Sequence, residues 1–219
     1  MARLLVATSN PGKLAEIRRT LEHVPIEIST LRDLRPVPEP EETSTTFAGN
    51  ARLKALYYDA PADTDSPTDH PSPRYTVAED SGLVIDALDG EPGVRSARFL
   101  RPDATYAERF SEIYRRLDEV QPRAWDARFV CALAVVRAGT VVYEAAAAIE
   151  GRIADTPTGT GGFGYDPIFY HPPSEGTLAE ISESAKIRVS HRGEAFRRFA
   201  DWLEQQLPAS SIGRTSSSR

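Results

Sequence analysis

The stretch RFVCALAVVRAGTVVYEAAAAI, residues 128–149, holds two runs of mostly apolar residues that are separated by Ala138 and Gly139. Two such runs, joined by two residues that include glycine, are typical of a β-hairpin. We therefore predict antiparallel strands over 128–137 and 140–149. A sheet that contains this hairpin together with any parallel strands is a mixed sheet.

Upstream of the hairpin, strand and helix patterns alternate. A buried strand is predicted over Arg3–Thr8 and another over Ile26–Thr30, with a helix between them that begins near Pro11. The next helix is predicted over Thr46–Tyr58. Alternating strands and helices, followed by a long hairpin, predict an α/β fold with a mixed rather than a purely parallel sheet.

The middle and the end of the chain supply further elements. Short strands are predicted over Tyr75–Glu79 and Leu83–Leu88, and Asp89-Gly90 is a turn signal. Two more helices are indicated by apolar residues at helical spacing. In the first helix these residues are Tyr106, Phe110, Ile113, Tyr114 and Leu117, and in the final helix they are Phe196, Phe199, Leu203 and Leu207.

Two segments lack the pattern of a packed core. Residues 61–73 contain four prolines among Asp, Thr and Ser, which indicates a mobile surface insertion. Residues 208–219 are rich in serine and are predicted to form a disordered tail. A single domain is therefore expected over 1–207.

The composition argues against several classes of protein. Of the 219 residues, 40% are hydrophobic and 26% are charged, which is an ordinary globular balance. The net charge of -6 argues against a nucleic-acid partner, because coating nucleic acid needs clustered Lys and Arg. The one cysteine, Cys131, excludes a disulfide framework and is interpreted as a core residue rather than a nucleophile. No apolar stretch is long enough for a membrane span, so we expect a cytoplasmic protein.

The segment from Thr8 to Lys13 lies where the first strand passes into the first helix. A helix N-terminus presents unpaired N–H groups and a partial positive charge, which favour phosphate binding, and Lys13 adds a full charge. The simpler alternative is a capped helix start with an exposed lysine, and the spacing is not that of a Walker motif. The candidate phosphate-binding residues are Thr8, Ser9, Asn10, Pro11, Gly12 and Lys13.

Two pairs of adjacent acids are candidate metal ligands. Magnesium prefers oxygen ligands and keeps several waters, so one or two protein carboxylates suffice to hold it. Glu41-Glu42 follows a proline-rich stretch, where solvated charge is the alternative interpretation. Glu79-Asp80 lies between apolar flanks, with an Asp-Ser-Gly turn as the alternative. Because neighbouring strand residues point to opposite faces, only one of Glu79 and Asp80 is expected to face a site.

Basic residues on two predicted helices are further candidates. Asn50 and Lys54 are four residues apart and share a helix face, which suits Lys54 to neutralising phosphate oxygens. Lys186 precedes a Ser-His-Arg-Gly motif in which His191 and Arg192 open the final helix. A His–Arg pair there can bind a phosphate or a keto oxygen, and a purely structural histidine is the alternative.

The segment 159–164 contains four glycines in six residues. Glycine allows backbone conformations that other residues avoid, and it allows a ligand to approach closely. Phe163 and Tyr165 are candidates to stack on a base, and Asp166 is a candidate to read its edge. A flexible loop is the alternative interpretation.

The order of these motifs resembles that of the inosine triphosphate pyrophosphatase family, over about residues 3–207. The motifs are TSNPGK (8–13), EET (41–43), NARLKA (50–55), EDSGL (79–83), GVRSAR (93–98), GTGGFGYDPIF (159–169) and SHRG (190–193). The resemblance implies an elongated central mixed sheet flanked by helices, with two lobes and an active-site cleft between them. It also implies magnesium, a homodimer, and hydrolysis of noncanonical purine triphosphates (ITP, dITP, XTP) to the monophosphate and pyrophosphate.

The resemblance further implies a role for each motif. Asp80 would be both metal ligand and proton acceptor, with Lys54 beside it near the phosphates, and Glu42 would be the second metal ligand, with Glu41 as the alternative. Selectivity would come from donors such as Arg192, which pair with a 6-keto group that adenine lacks. The implied substrate-binding residues are Thr8, Ser9, Asn10, Pro11, Gly12, Lys13, Ser81, Phe163, Gly164, Tyr165, Asp166, Lys186, His191 and Arg192.

Three features depart from the family pattern. Gly49 stands where the family commonly has Glu, Ile187-Arg188-Val189 replaces the usual small and apolar residues, and 61–73 is inserted. Gly49 would alter the support of the metal or loosen its helix. A Maf-like pyrophosphatase for modified pyrimidine triphosphates and a nucleotide-binding sensor without catalysis are the alternative functions.

Overall fold

A computed structural model describes residues 2–34, 36–59, 75–120 and 125–207. The predicted insertion over 61–73 and the predicted tail over 208–219 lie outside these ranges. The strands and α-helices within them are β1 (Ala2–Val6), α1 (Pro11–Thr20), β2 (Ile26–Thr30), α2 (Phe47–Asp59), β3 (Tyr75–Ile85), α3 (Tyr106–Asp118), β4 (Asp126–Arg137), β5 (Thr140–Ile153), β6 (Phe169–His171), β7 (Gly176–Thr177), α4 (Glu183–Val189) and α5 (His191–Gln206).

The strands form one sheet in the order β2-β1-β3-β4-β5-β6-β7. β1 is parallel to both β2 and β3, whereas the pairs from β3 to β7 are antiparallel. The prediction of an α/β fold with a mixed sheet is therefore confirmed. None of the helices in the described ranges is long and apolar enough to cross a membrane.

Helices cover both faces of the sheet at the end where β1 lies. Ile17 of α1 and Phe196 of α5 are fully buried on one face, in a core that includes Val77 of β3. Ala51 and other small residues of α2 are buried on the opposite face. The two faces differ because alternate strand residues point in opposite directions.

The long strands β3, β4 and β5 continue beyond this core into a second one. Leu83 of β3, Phe129 of β4 and Ile153 of β5 pack there against α3, whose Ile113 and Leu117 are fully buried. Two cores on the same three strands make two lobes joined by the sheet. That residues 1–207 form one domain stays a prediction. It is supported by the three strands that run through both cores.

The hairpin is built as its turn residues dictate. Ala138 and Gly139 adopt φ angles of 52° and 74°, and both left-handed values suit the two-residue turn that matches strand twist. β5 extends to Ile153, four residues further than predicted, because its last residues pair with β4 and with β6.

The prediction of two short strands, over Tyr75–Glu79 and Leu83–Leu88, is wrong. One strand, β3, runs from Tyr75 to Ile85 and pairs with β4 without interruption, and residues 86–88 form a 3-10 helix. The polar residues of the EDSG segment broke the apolar pattern that we used. They do not break the strand, because their side chains have polar partners on both faces of the sheet.

Candidate active site

The site lies where β1 ends and β3 continues. β1 pairs with β3 only as far as Val77, and the N–H of Ala7 donates to the Val77 carbonyl as the last link. Beyond that point the β3 edge faces the start of α1 instead of a strand. A gap thus separates this part of β3 from the start of α1. Glu79, on one face of the sheet, and Asp80, on the other, both lie beside this gap.

Asn10 caps the helix at this gap. Its side-chain oxygen accepts from the N–H groups of Gly12 (2.9 Å) and Lys13 (3.1 Å). Pro11 has no N–H, so the free backbone donors that we expected at this terminus are largely taken. The positive charge offered to an anion comes from the helix dipole and from the Lys13 side chain.

Glu79 anchors the charges on one face of the sheet. Its side chain is only 1% exposed, and its Oε1 lies 2.8 Å from Lys13 Nζ and 3.3 Å from Arg192 Nε. Burial alone would raise the pKa of Glu79, but the charges of Arg192 and Lys13 hold it well below its ordinary value. Glu79 is therefore an ionised partner for two basic residues.

Glu16 is the residue that sequence reasoning missed on this face. Its two oxygens lie 2.7 Å from Lys186 Nζ and 2.6 Å from Arg192 Nη1, and its side chain is buried. Glu16 follows Lys13 by three positions and precedes the buried Ile17, so an acid on the buried side of α1 was the available signal.

The acids and bases of this face balance. Lys186 Nζ also contacts Asp166 Oδ2 at 2.5 Å. Three carboxylates, those of Glu16, Glu79 and Asp166, therefore face three basic side chains. Buried charges are tolerated when each one is paired and hydrogen-bonded. The bases are Lys13, Lys186 and Arg192.

On the opposite face, Glu42 and Asp80 share one ammonium group. Lys54 Nζ lies 2.7 Å from Glu42 Oε1 and 3.2 Å from Asp80 Oδ1. Asn50, which is fully buried, donates from Nδ2 to Asp80 Oδ2 at 3.1 Å. Glu41 is exposed, so the structure turns Glu42 and not Glu41 towards Asp80.

Burial and neighbouring charges shift the pKa values of Asp80 and Glu42. Burial raises the pKa of Asp80, against the opposing effect of Lys54, and the nearby Glu42 raises it further. Burial also acts to raise the pKa of Glu42, but Lys54 and Arg98 hold it below its ordinary value. Lys13 acts on Asp80 as well, which puts the charges of the two faces within electrostatic range.

Gly49 has a local explanation. A Cβ on Gly49 would lie 2.0 Å from Ser44 Oγ, because the segment that carries Glu42 folds back on the start of α2. The N–H of Ser44 donates to Asn50 Oδ1 at 2.9 Å and fixes that approach. A side chain at position 49 would therefore displace the loop.

The glycine-rich loop brings Phe163 over the start of α1. A Cβ on Gly12 would lie 2.7 Å from the Phe163 ring, and Lys186 Nζ lies 4.4 Å from the ring centroid. Gly162 and Gly164 have φ angles of 67° and 69°, which other residues rarely adopt. These glycines let the loop turn on both sides of Phe163.

Tyr165 plays a different part from the one expected. The residue is 4% exposed, its ring is edge-on to Tyr106, and its hydroxyl donates to the Ser96 carbonyl at 2.8 Å. Tyr165 is thus part of the cleft wall. Asp166 accepts from the Phe163 N–H at 2.7 Å in addition to pairing with Lys186, so it shapes the loop as well.

His191 is buried at the start of α5. Its ring stacks on Phe129 at 4.9 Å, and its Nδ1 has no hydrogen-bond partner in the described part of the chain. Burial, together with the charge of Arg192, holds the pKa of His191 well below its ordinary value. His191 is therefore a neutral ring in the wall of the cleft, with one buried nitrogen unpaired among the described residues.

Most of the predicted substrate-binding residues line one cleft. Thr8, Ser9 and Pro11 instead border a neighbouring depression between α1 and the end of β2. The fold and the site together define an α/β protein whose cleft is suited to a charged ligand. The predicted residues that line the cleft are Asn10, Lys13, Ser81, Phe163, Gly164, Tyr165, Asp166, Lys186, His191 and Arg192.

Comparison with known proteins gives the family. Residues 4–202 match the Ham1 family. A dITP/XTP pyrophosphatase of Acidobacterium capsulatum is 44% identical, over 89% of this chain and 94% of that protein. One from Halalkalibacterium halodurans is 39% identical, over 93% of this chain and 100% of that protein. The chain therefore belongs to the Ham1 family.

Solved structures agree with this assignment. A HAM1 protein from Coxiella burnetii has a TM-score of 0.81 at 34% identity, covering 94% of this chain and 100% of its own. A nucleoside-triphosphatase / dITP/XTP pyrophosphatase from Mycobacterium abscessus has a TM-score of 0.67 at 36% identity, covering 94% of this chain and 99% of its own. The elongated mixed sheet is thus the fold of the family.

Proposed function

We propose that this protein hydrolyses noncanonical purine nucleoside triphosphates (ITP, dITP and XTP) to the nucleoside monophosphate and pyrophosphate, which removes them from the nucleotide pool. The observation that carries the proposal is the pair Glu42 and Asp80, which face one cation position beside a cleft lined by Lys13, Lys186 and Arg192. Membership of the Ham1 family and relatives named dITP/XTP pyrophosphatase support the same reaction.

The cofactor that we propose is Mg²⁺, held by Glu42 and Asp80. The ammonium of Lys54 already lies between their carboxylates, so the position suits a cation. Within the described ranges no group of three or more His, Cys, Asp or Glu side chains could hold a metal ion. Two carboxylates fit magnesium, which completes its coordination with water and phosphate oxygens. When bound, the metal supplies charge neutralisation and lowers the pKa of a bound water.

Asp80 is the proposed proton acceptor. Water attacks the α-phosphorus, the bond from that phosphorus to the bridging oxygen breaks, and pyrophosphate leaves with the bond electrons. Asp80 takes the proton of the attacking water, a role for which its buried position between Lys54 and Asn50 is suited. Lys13 and Lys54 neutralise charge on the departing pyrophosphate.

Base selectivity is proposed to arise at Arg192. A guanidinium has five N–H groups, and three nitrogens of Arg192 already contact Glu79, Glu16 and Ser81. The remaining N–H groups favour an acceptor such as a 6-keto oxygen, and adenine's amino group would leave them unpaired. Phe163, beside Lys186, is the proposed stacking surface for the base.

Pyrophosphate release from ITP, XTP, GTP and ATP, with Mg²⁺ and with EDTA, tests the proposal. We expect ITP and XTP to turn over and ATP to be slower by about 100-fold or more, because buried donors are left unpaired. EDTA is expected to abolish release. Equal rates for ITP and ATP would overturn the selectivity. A preference for modified pyrimidine triphosphates would support a Maf-like enzyme, and binding without release would support a sensor.

We also propose that the protein is a homodimer and acts in the cytoplasm. α2 exposes Leu53, Leu56 and Tyr57, each by about two-fifths, at the spacing of one helix side. A second copy that covers them would remove apolar surface from water.

The free, buried thiol of Cys131 suits a reducing compartment. We propose neither nucleic acid nor a membrane as a partner.

Sedimentation velocity tests the dimer. The wild-type protein is expected to sediment as a dimer, and Leu56→Asp is expected to shift it towards the monomer, because a buried unpaired charge is costly. Arg198→Gln, which alters an exposed ion pair on α5, on the opposite face of the sheet, is the control. A monomeric wild-type protein at micromolar concentration would contradict the proposal.

A further inference from the structure

Glu42 lies in a segment that cannot hold its side chain by itself. Residues 36–46 form neither helix nor strand and contain three prolines. Loop backbone of this kind is more mobile than the elements it joins. A carboxylate that has to meet Asp80 across a gap therefore needs contacts from elsewhere in the fold.

Arg98 supplies such a contact. Its Nη1 lies 2.5 Å from Glu42 Oε2, and its Nη2 lies 3.4 Å from the Glu42 carbonyl oxygen. One planar guanidinium thus holds both the side chain and the main chain of Glu42, which the single ammonium of a lysine is not shaped to do. The other carboxylate oxygen, Oε1, faces Lys54 and the shared cation position.

The segment that carries Arg98 is itself firmly anchored. Ser96 Oγ accepts from the Leu83 N–H at 2.9 Å and donates to the Gly93 carbonyl at 2.7 Å. The Tyr165 hydroxyl bonds the Ser96 carbonyl, and the next residue after Arg98, Phe99, is buried in the second core. Arg98 therefore reaches Glu42 from the lobe opposite α2.

We propose that Arg98 is the positioning residue of Glu42: it holds the loop carboxylate from the second lobe so that the oxygen beside Lys54 and Asp80 is set to receive a divalent cation. This inference rests on the proposed metal-dependent function. Arg98 contacts the Oε2 atom of Glu42, whereas the Lys54 ammonium, which marks the cation position, contacts Glu42 Oε1 and Asp80 Oδ1.

The sign of the effect separates positioning from simple charge competition. If Arg98 only competed with the cation for Glu42, its removal would strengthen metal binding, because one repelling positive charge is gone. If Arg98 positions Glu42, its removal weakens metal binding, since the loop carboxylate is no longer held. Loss of such an outer partner typically costs about 10- to 100-fold in metal affinity.

Calorimetric titration of the full-length protein with Mg²⁺ tests the inference. We expect R98Q to bind Mg²⁺ about 10- to 100-fold more weakly than the wild type. R98K should be weakened by a smaller factor, because lysine keeps the charge but lacks the two guanidinium nitrogens that contact Glu42. The Mg²⁺ concentration for half-maximal pyrophosphate release should rise in parallel, with kcat at saturating Mg²⁺ near that of the wild type. R52Q, which breaks an exposed Arg–Glu pair, should leave both quantities unchanged.

The outcomes are distinguishable. Wild-type or tighter Mg²⁺ binding by R98Q would overturn the positioning role and leave the proposed function standing. An absence of Mg²⁺ binding by the wild type would overturn the proposed cofactor and this inference with it. If R98Q fails to fold, as its thermal melt would show, R98K carries the test, and unweakened binding by R98K at full stability would then overturn the positioning role.

Discussion

Asp80→Asn is expected to lower kcat for ITP hydrolysis by about 10²- to 10⁴-fold, the range that a general base contributes. Asparagine cannot accept the proton of the attacking water, and it weakens the cation position that Asp80 shares with Glu42. The fold should survive, because the amide oxygen can still accept from Asn50 Nδ2, which now contacts Asp80 Oδ2. Steady-state pyrophosphate release at saturating Mg²⁺, together with a thermal melt, measures both effects.

Asp86→Asn is the matched control. Asp86 follows the same strand and is exposed, and it pairs with Arg128 outside the cleft. Its substitution should leave turnover at the wild-type level. Full turnover by the Asp80→Asn protein would remove Asp80 from the mechanism.

Arg192→Met is expected to lower the free energy of unfolding by about 3–5 kcal/mol, the usual cost of removing one partner from a buried ion pair. Arg192 is 2% exposed and contacts Glu16 and Glu79, so its loss leaves two buried carboxylates with one base fewer. Urea denaturation followed by tryptophan fluorescence measures the change. The same variant should lose discrimination between ITP and ATP.

Arg198→Met provides the comparison on the same helix. Arg198 is about half-exposed and pairs with Glu194, and exposed pairs contribute little. The decrease in the free energy of unfolding caused by Arg198→Met should therefore be several-fold smaller than the decrease caused by Arg192→Met. The double variant Glu16→Gln/Arg192→Met should recover part of the stability, because one of the stranded charges is removed. Similar losses for Arg192→Met and Arg198→Met would contradict the account of a buried network.

Local signals were sufficient for much of the fold. β2 matches its predicted range, α1 begins at Pro11, and the hairpin turns at Ala138-Gly139. Each of these features depends on residues within one turn or one strand, where proline, glycine and apolar periodicity act directly on the backbone. The family motifs also indicated most of the residues that line the cleft.

β3 shows where local reasoning failed. Its EDSG segment looks like an interruption because two acids and a serine replace apolar residues. The strand continues because Lys13 and Arg192 compensate Glu79 on one face and Lys54 compensates Asp80 on the other. Partners of this kind come from distant parts of the chain and leave no sign in the segment itself.

The sequence by itself determined four of the five α-helices of the described ranges (all but α4), the hairpin turn, the mixed character of the sheet and the chemical groups available for the reaction. These features depend on neighbouring residues and on composition. Only the tertiary structure decided which charges meet: Arg192 reaches Glu16 across 176 residues, and Arg98 reaches Glu42 across 56. Burial makes such contacts decisive, since an ionised group that is removed from water is stable only beside an opposite charge, and the folded chain alone selects that charge.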